Sequence, residues 1–124
     1  SLSRTAKGRA YLAALPPEQR ERYVEAMRAS DPEHGTWLAD RMSEARKNLA
    51  ERGFCISHGD LHHQLDAVAV PVRSNVPDEI YVFACTVPSF ELRPGQLEED
   101  VGPRLATMVR SIEAALGIPP ASYG

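Results

Sequence analysis

Apolar residues recur with two different periods along this chain. From Thr5 to Leu15 the small residues Ala6, Ala10, Ala13 and Ala14 fall at helical spacing and predict a helix that sits close to a neighbour. Gly8 inside it weakens a helix by roughly 1 kcal/mol relative to alanine, and close packing is the reason to keep it. Pro16-Pro17 stops this helix, and Pro17 can start the next with Glu18 at its positive end. The second helix is expected to run to about Ala29 and to offer Tyr23, Val24 and Met27 to a core, before Ser30-Asp31-Pro32 breaks the chain. In the third, Leu38, Met42, Ala45 and Leu49 form one stripe, charged residues fill the other positions, and Gly53 is the natural cap.

The period then becomes strand-like. Phe54–Ser57, Asp66–Val72 and Tyr81–Val87 are the predicted strands, with Val68, Val70 and Val72 on one face of the second. Pro71 predicts an edge or a bulge there. The connector from Arg73 to Asp78 carries turn residues, so the last two strands should pair antiparallel. After Pro94-Gly95 a long helix is expected, with Leu97, Val101, Leu105, Met108, Ile112 and Leu116 as its stripe and Gly117 as its end. Pro103 marks either a kink or a later start. Helices, then an antiparallel sheet, then a helix give the α+β class.

The 124 residues make one domain, and 43% hydrophobic against 25% charged residues can form a core. The longest apolar run, Ala67 to Val72, is far shorter than the roughly 20 residues of a membrane helix. No hydrophobic signal core follows Ser1. Cys55 and Cys85 make no disulfide framework and read as reduced thiols of a cytoplasmic protein. A formal net charge of −3 argues against nucleic acid as this chain's own partner.

Four groupings bear on chemistry. His58-Gly59-Asp60-Leu61-His62 resembles the catalytic loop of aminoglycoside phosphotransferases and choline kinases, but Leu65 stands where the magnesium-binding asparagine should be. Cys55, His58, Asp60, His62, His63 and Asp66 are all zinc-binding residue types, and a metal-dependent hydrolase using the His58–Asp66 loop is the alternative function. A polar loop without metal is the simpler reading, so no metal or cofactor is expected. Either cysteine could be a nucleophile beside a histidine, yet both fall in strands, where a small buried hydrophobe is the usual role. A helix-turn-helix over residues 17–29 and 36–52 would have Arg41, Arg46, Lys47 and Arg52 interleaved with Glu44 and Glu51, across too long a turn.

Short motifs in a fixed order carry more. Gly8-Arg9-Ala10-Tyr11-Leu12-Ala13 with Leu15-Pro16-Pro17-Glu18, then Ala50-Glu51-Arg52-Gly53-Phe54, then Asp66-Ala67-Val68-Ala69-Val70-Pro71-Val72, and last Ala114-Ala115-Leu116-Gly117, together resemble the C-terminal domain of IclR-type bacterial transcriptional regulators. Asp60, Gln64 and Val87-Pro88 depart from that pattern. The resemblance implies a GAF-like effector-binding domain: a curved antiparallel β-sheet flanked by helices on one face, with a small-molecule pocket against the other. It implies that this chain is part of that domain, incomplete at its N-terminus, without the winged helix-turn-helix that binds DNA. The expected partners are a small organic acid effector and further copies of the chain in a homo-oligomer, with DNA reached only through the missing N-terminal domain. No membrane contact and no enzymatic chemistry are expected. Residue by residue, the resemblance places the ligand against Ala6, Lys7, Ser57, Leu65, Ala67, Ala84 and Thr86. A third reading is a pure oligomerisation module with a filled pocket.

Overall fold

A computed structural model describes residues 2–59, 63–76, 79–121 and 123. A 3-10 turn over Leu2–Arg4 leads into α1 (Ala6–Ala14), followed by α2 (Pro17–Ser30) and α3 (Pro32–Glu51). The strands are β1 (Cys55–His58), β2 (Leu65–Arg73) and β3 (Ile80–Pro88), and α4 (Gly102–Leu116) follows. The strands pair antiparallel in the order β1-β2-β3. Pro71 lies in the central strand rather than an edge strand. The β1 pairing reaches only to Ala69, however, so β2 is locally an edge at the proline.

The two faces of the sheet are buried by different helices. On one, Ala6, Ala10 and Ala13 of α1 pack with Leu38, Met42, Ala45 and Leu49 of α3 over Cys55 and Ala69. On the other, Val68, Val70 and Val72 meet Phe54, Leu97 and Val109. The alanine face lets α1 lie close to the sheet. At Gly8 an added Cβ would fall 1.6 Å from the Leu2 carbonyl oxygen, so the 3-10 turn can fold onto the helix only there. The C-terminal carbonyls of α1 are held by cations from elsewhere. Arg20 of α2 donates to Ala13 O at 3.3 Å, and Arg73 of β2 donates through Nε to Ala14 O at 3.0 Å.

Two expectations change, and at Pro103 the structure takes one of the two alternatives. The third helix begins at Pro32, with the Asp31 side chain accepting from the His34 N–H at 3.2 Å. Asp31 alone separates it from α2, so the pair lacks the turn of a helix-turn-helix. The proline at 103 lies in the first turn of α4 and starts it rather than kinking it. A π-helical turn over Leu97–Val101 precedes α4 and rotates its register. The buried line becomes Leu97, Gly102, Val109 and Glu113, while Met108 and Leu116 of the expected stripe are 44% and 61% exposed. Gly53 and Gly117, at φ +87° and +69°, take the left-handed positions that end α3 and α4.

Candidate ligand site at the head of the first helix

Thr5 precedes α1 with extended backbone, and its Oγ1 accepts the Gly8 N–H at 2.9 Å. This is a side-chain N-cap. It leaves the N–H groups of Ala6 and Lys7 as first-turn donors without an intrahelical acceptor. Both residues border a cavity of about 240 Å³, with Arg4 and Thr5 completing that wall. The floor is the sheet. Ser57, Ala67 and Thr86 are register partners in one rung across β1, β2 and β3. Leu65 and Ala84 line the cavity on either side of that rung. The alternation of side chains puts all five on the face that α1 covers.

The cavity therefore lies on the same side of the sheet as α1, where helices were expected on the opposite face. The reason is local. Alanines dock the middle of α1 on Ala69, and the helix ends before reaching the Leu65–Ala67 end of β2, which leaves that part of the sheet uncovered. The seven residues suggested by the resemblance all line this one cavity. Arg4 and Thr5 line it too and were not singled out. Thr5 could have been found as the cap residue before the alanine run. Nothing in the periodicity marks Arg4.

The lining is largely apolar at its floor, carries two cations, Arg4 and Lys7, and contains no acidic residue among the described residues. A polar cleft of about 270 Å³ elsewhere is different: its Arg9, Arg41 and Arg52 stand with two acids, Glu44 and Glu98. In that cleft Arg41 is already paired with Glu44 at 3.0 Å, and Arg9 donates to the Ile56 carbonyl at 3.0 Å.

The His58–Asp66 segment does not assemble a metal site among the described residues. Asp66 receives the Ser89 hydroxyl on Oδ1 at 2.9 Å and meets His58 Nδ1 with Oδ2 at 3.2 Å. Cys55 faces the α1 side, away from that pair, and its Sγ lies 3.8 Å from the Ala45 carbonyl. Burial pushes its thiol up to about 12, against the opposing pull of Arg9, which disfavours the thiolate that a nucleophile needs. Asp60, Leu61 and His62 of the loop, and Pro77 and Asp78 of the connector, lie outside the described residues.

Residues 1–115 match the family described as bacterial transcriptional regulator IclR, C-terminal. The chain is 31% identical over 118 residues to the HTH-type transcriptional regulator TsaQ1/TsaQ2 of Comamonas testosteroni, covering 93% of this chain and 41% of that protein. Its structure resembles that of an IclR family transcriptional regulator from Brucella abortus, with a TM-score of 0.81, 36% identity, and coverage of 95% of this chain and 44% of the other. A crystal structure of a Rhodococcus sp. RHA1 protein shares the fold at 24% identity and a TM-score of 0.73, over 94% of this chain and 48% of that one. The chain thus spans less than half the length of these relatives.

Proposed function

Because the chain belongs to the IclR family of bacterial transcriptional regulators and corresponds to its C-terminal domain, we propose that it is the regulator's sensor, binding a small organic acid in the cavity at the head of α1. One observation carries the reading: the N-terminus of α1 and two cations border a largely apolar floor, with no acid in the lining among the described residues. A helix N-terminus favours an anion by about 0.3–1 kcal/mol when exposed, and by more when partly buried. Thr86 and Ser57 offer hydroxyls to ligand oxygens. Ala67 and Ala84 leave the space that larger side chains would fill.

In this proposal the domain does no chemistry. Ligand occupancy shifts the state of a homo-oligomeric regulator, and DNA is contacted by a segment outside these 124 residues. No helix among the described residues is long and apolar enough to cross a membrane.

The test is a thermal-shift screen with carboxylates, followed by two variants. Thr86→Val keeps the shape and removes a hydroxyl, and should cost about 1 kcal/mol of affinity. Ala84→Leu should fill the cavity and abolish the shift. An acid that stabilises the wild type and binds Ala84→Leu equally well places the ligand elsewhere.

A further inference from the structure

Arg4 and Lys7 have no acidic ion-pair partner among the described residues, and both line a cavity to which no described residue contributes an acidic group. Both are exposed residues at the rim, and a single carboxylate seated at the Ala6 and Lys7 amides leaves the Arg4 guanidinium as a further donor group at the cavity. We propose that the preferred ligand is a compact dianion, a dicarboxylate, and that Arg4 is the residue that selects its second acid group. This rests on the reading that the cavity is the ligand site.

The placement of Arg4 supports it. Its guanidinium carbon lies 5.3 Å from the centroid of the Trp37 ring, which backs a cation by its face. Trp37 is in turn stacked on His34, with centroids 5.3 Å apart and planes 20° apart. His34 Nε2 shares a hydrogen bond of 3.0 Å with Ser3 Oγ, next to Arg4 in the chain. The 3-10 turn is thereby docked on the start of α3, and the arginine is held where it both stacks and lines the cavity. A guanidinium held this way keeps its in-plane N–H donors for an oxyanion, and its fork matches a carboxylate. The cavity, at about 240 Å³, is smaller than a drug-sized pocket, which restricts the dianion to a short aliphatic chain or a single aromatic ring.

The experiment compares matched acids on the 124-residue chain by calorimetry: succinate against butyrate, and phthalate against benzoate. In at least one pair the dicarboxylate is expected to bind about tenfold more tightly, and added salt should narrow that gap. Arg4→Gln should collapse the preference to near unity, Arg4→Lys should retain part of it, and Trp37→Leu should reduce it. The melting temperature of each unliganded variant is measured alongside, so that loss of preference is separated from loss of fold. Equal binding of both members of each pair by the wild type, or a preference that survives Arg4→Gln, overturns the role of Arg4 and leaves the acid site standing. Failure of every acid to bind the wild type overturns the cavity as an acid site, and this inference with it.

Discussion

Cys55 shows how a residue's burial becomes a property of the whole chain. It is 1% exposed, and burial pushes its thiol from the ordinary value of 9.0 to about 12. The unfolded chain releases this proton near pH 9, while the folded chain holds it. The unfolded state then binds fewer protons, and stability falls as pH rises from about 9 to about 12. Denaturant titrations across that window should show a loss of about 1–4 kcal/mol in the wild type and a shallower loss in Cys55→Ala. An equal slope in the two proteins would remove Cys55 as the cause. The sequence supports a buried, inert Cys55 because strand position and residue type point the same way. Arg4 is not legible in that manner. Its role depends on Trp37, 33 positions later, and a ring contact at that separation leaves no periodic trace. Ala67, Ala84 and Thr86 are ordinary strand residues by pattern, and only the family resemblance distinguished them from their neighbours.

Among the elements, those whose buried face follows a simple period were legible. The line Leu38, Met42, Ala45 and Leu49 of α3 is buried as spaced, and Val68, Val70 and Val72 share one face of β2. Where hydrogen bonding changes the period, the pattern misleads. The π turn at Leu97–Val101 inserts an offset of five residues between Leu97 and Gly102; Leu97, Val101 and Leu105 of the expected stripe still meet the core, while Met108 and Leu116 turn outward. The beginning of α3 was hidden because Asp31 and Pro32 read as a break, whereas together they form a cap and a first helical residue. The union of α1 with the turn before it makes a prediction at this scale. Gly8→Ala would ordinarily strengthen a helix, but here its Cβ would overlap the Leu2 carbonyl. It should destabilise the chain by about 1–3 kcal/mol in urea unfolding. It should also weaken acid binding, because the turn carrying Arg4 must move. A stabilising Gly8→Ala would mean that the turn is not docked as described.

On the scale of the molecule, two features leave surface that another chain can cover. Strand β3 is paired through all nine of its residues on one side, while its other side is an edge of the described sheet. Such an edge presents a row of backbone donors and acceptors to any partner strand. Tyr81 on β3 is 54% exposed, and Met108 and Leu116 of α4 add apolar surface that the rotated helix leaves uncovered. Neither feature alone compels association, since single exposed hydrophobes are common. A long unpaired edge together with an uncovered helix face is the combination that soluble monomers ordinarily blunt with charge, proline or a covering element. Self-association at micromolar concentration is therefore expected, and sedimentation should give a dimer or larger species. Tyr81→Lys places a charge on the edge strand, and Leu116→Lys places one on the helix. Whichever surface mediates contact, its substitution should shift the distribution towards monomer without lowering the melting temperature extrapolated to infinite dilution. A wild-type chain that sediments as a monomer throughout that range would mean that β3 and α4 are tolerated as free surface, and that this domain does not drive association of a regulator.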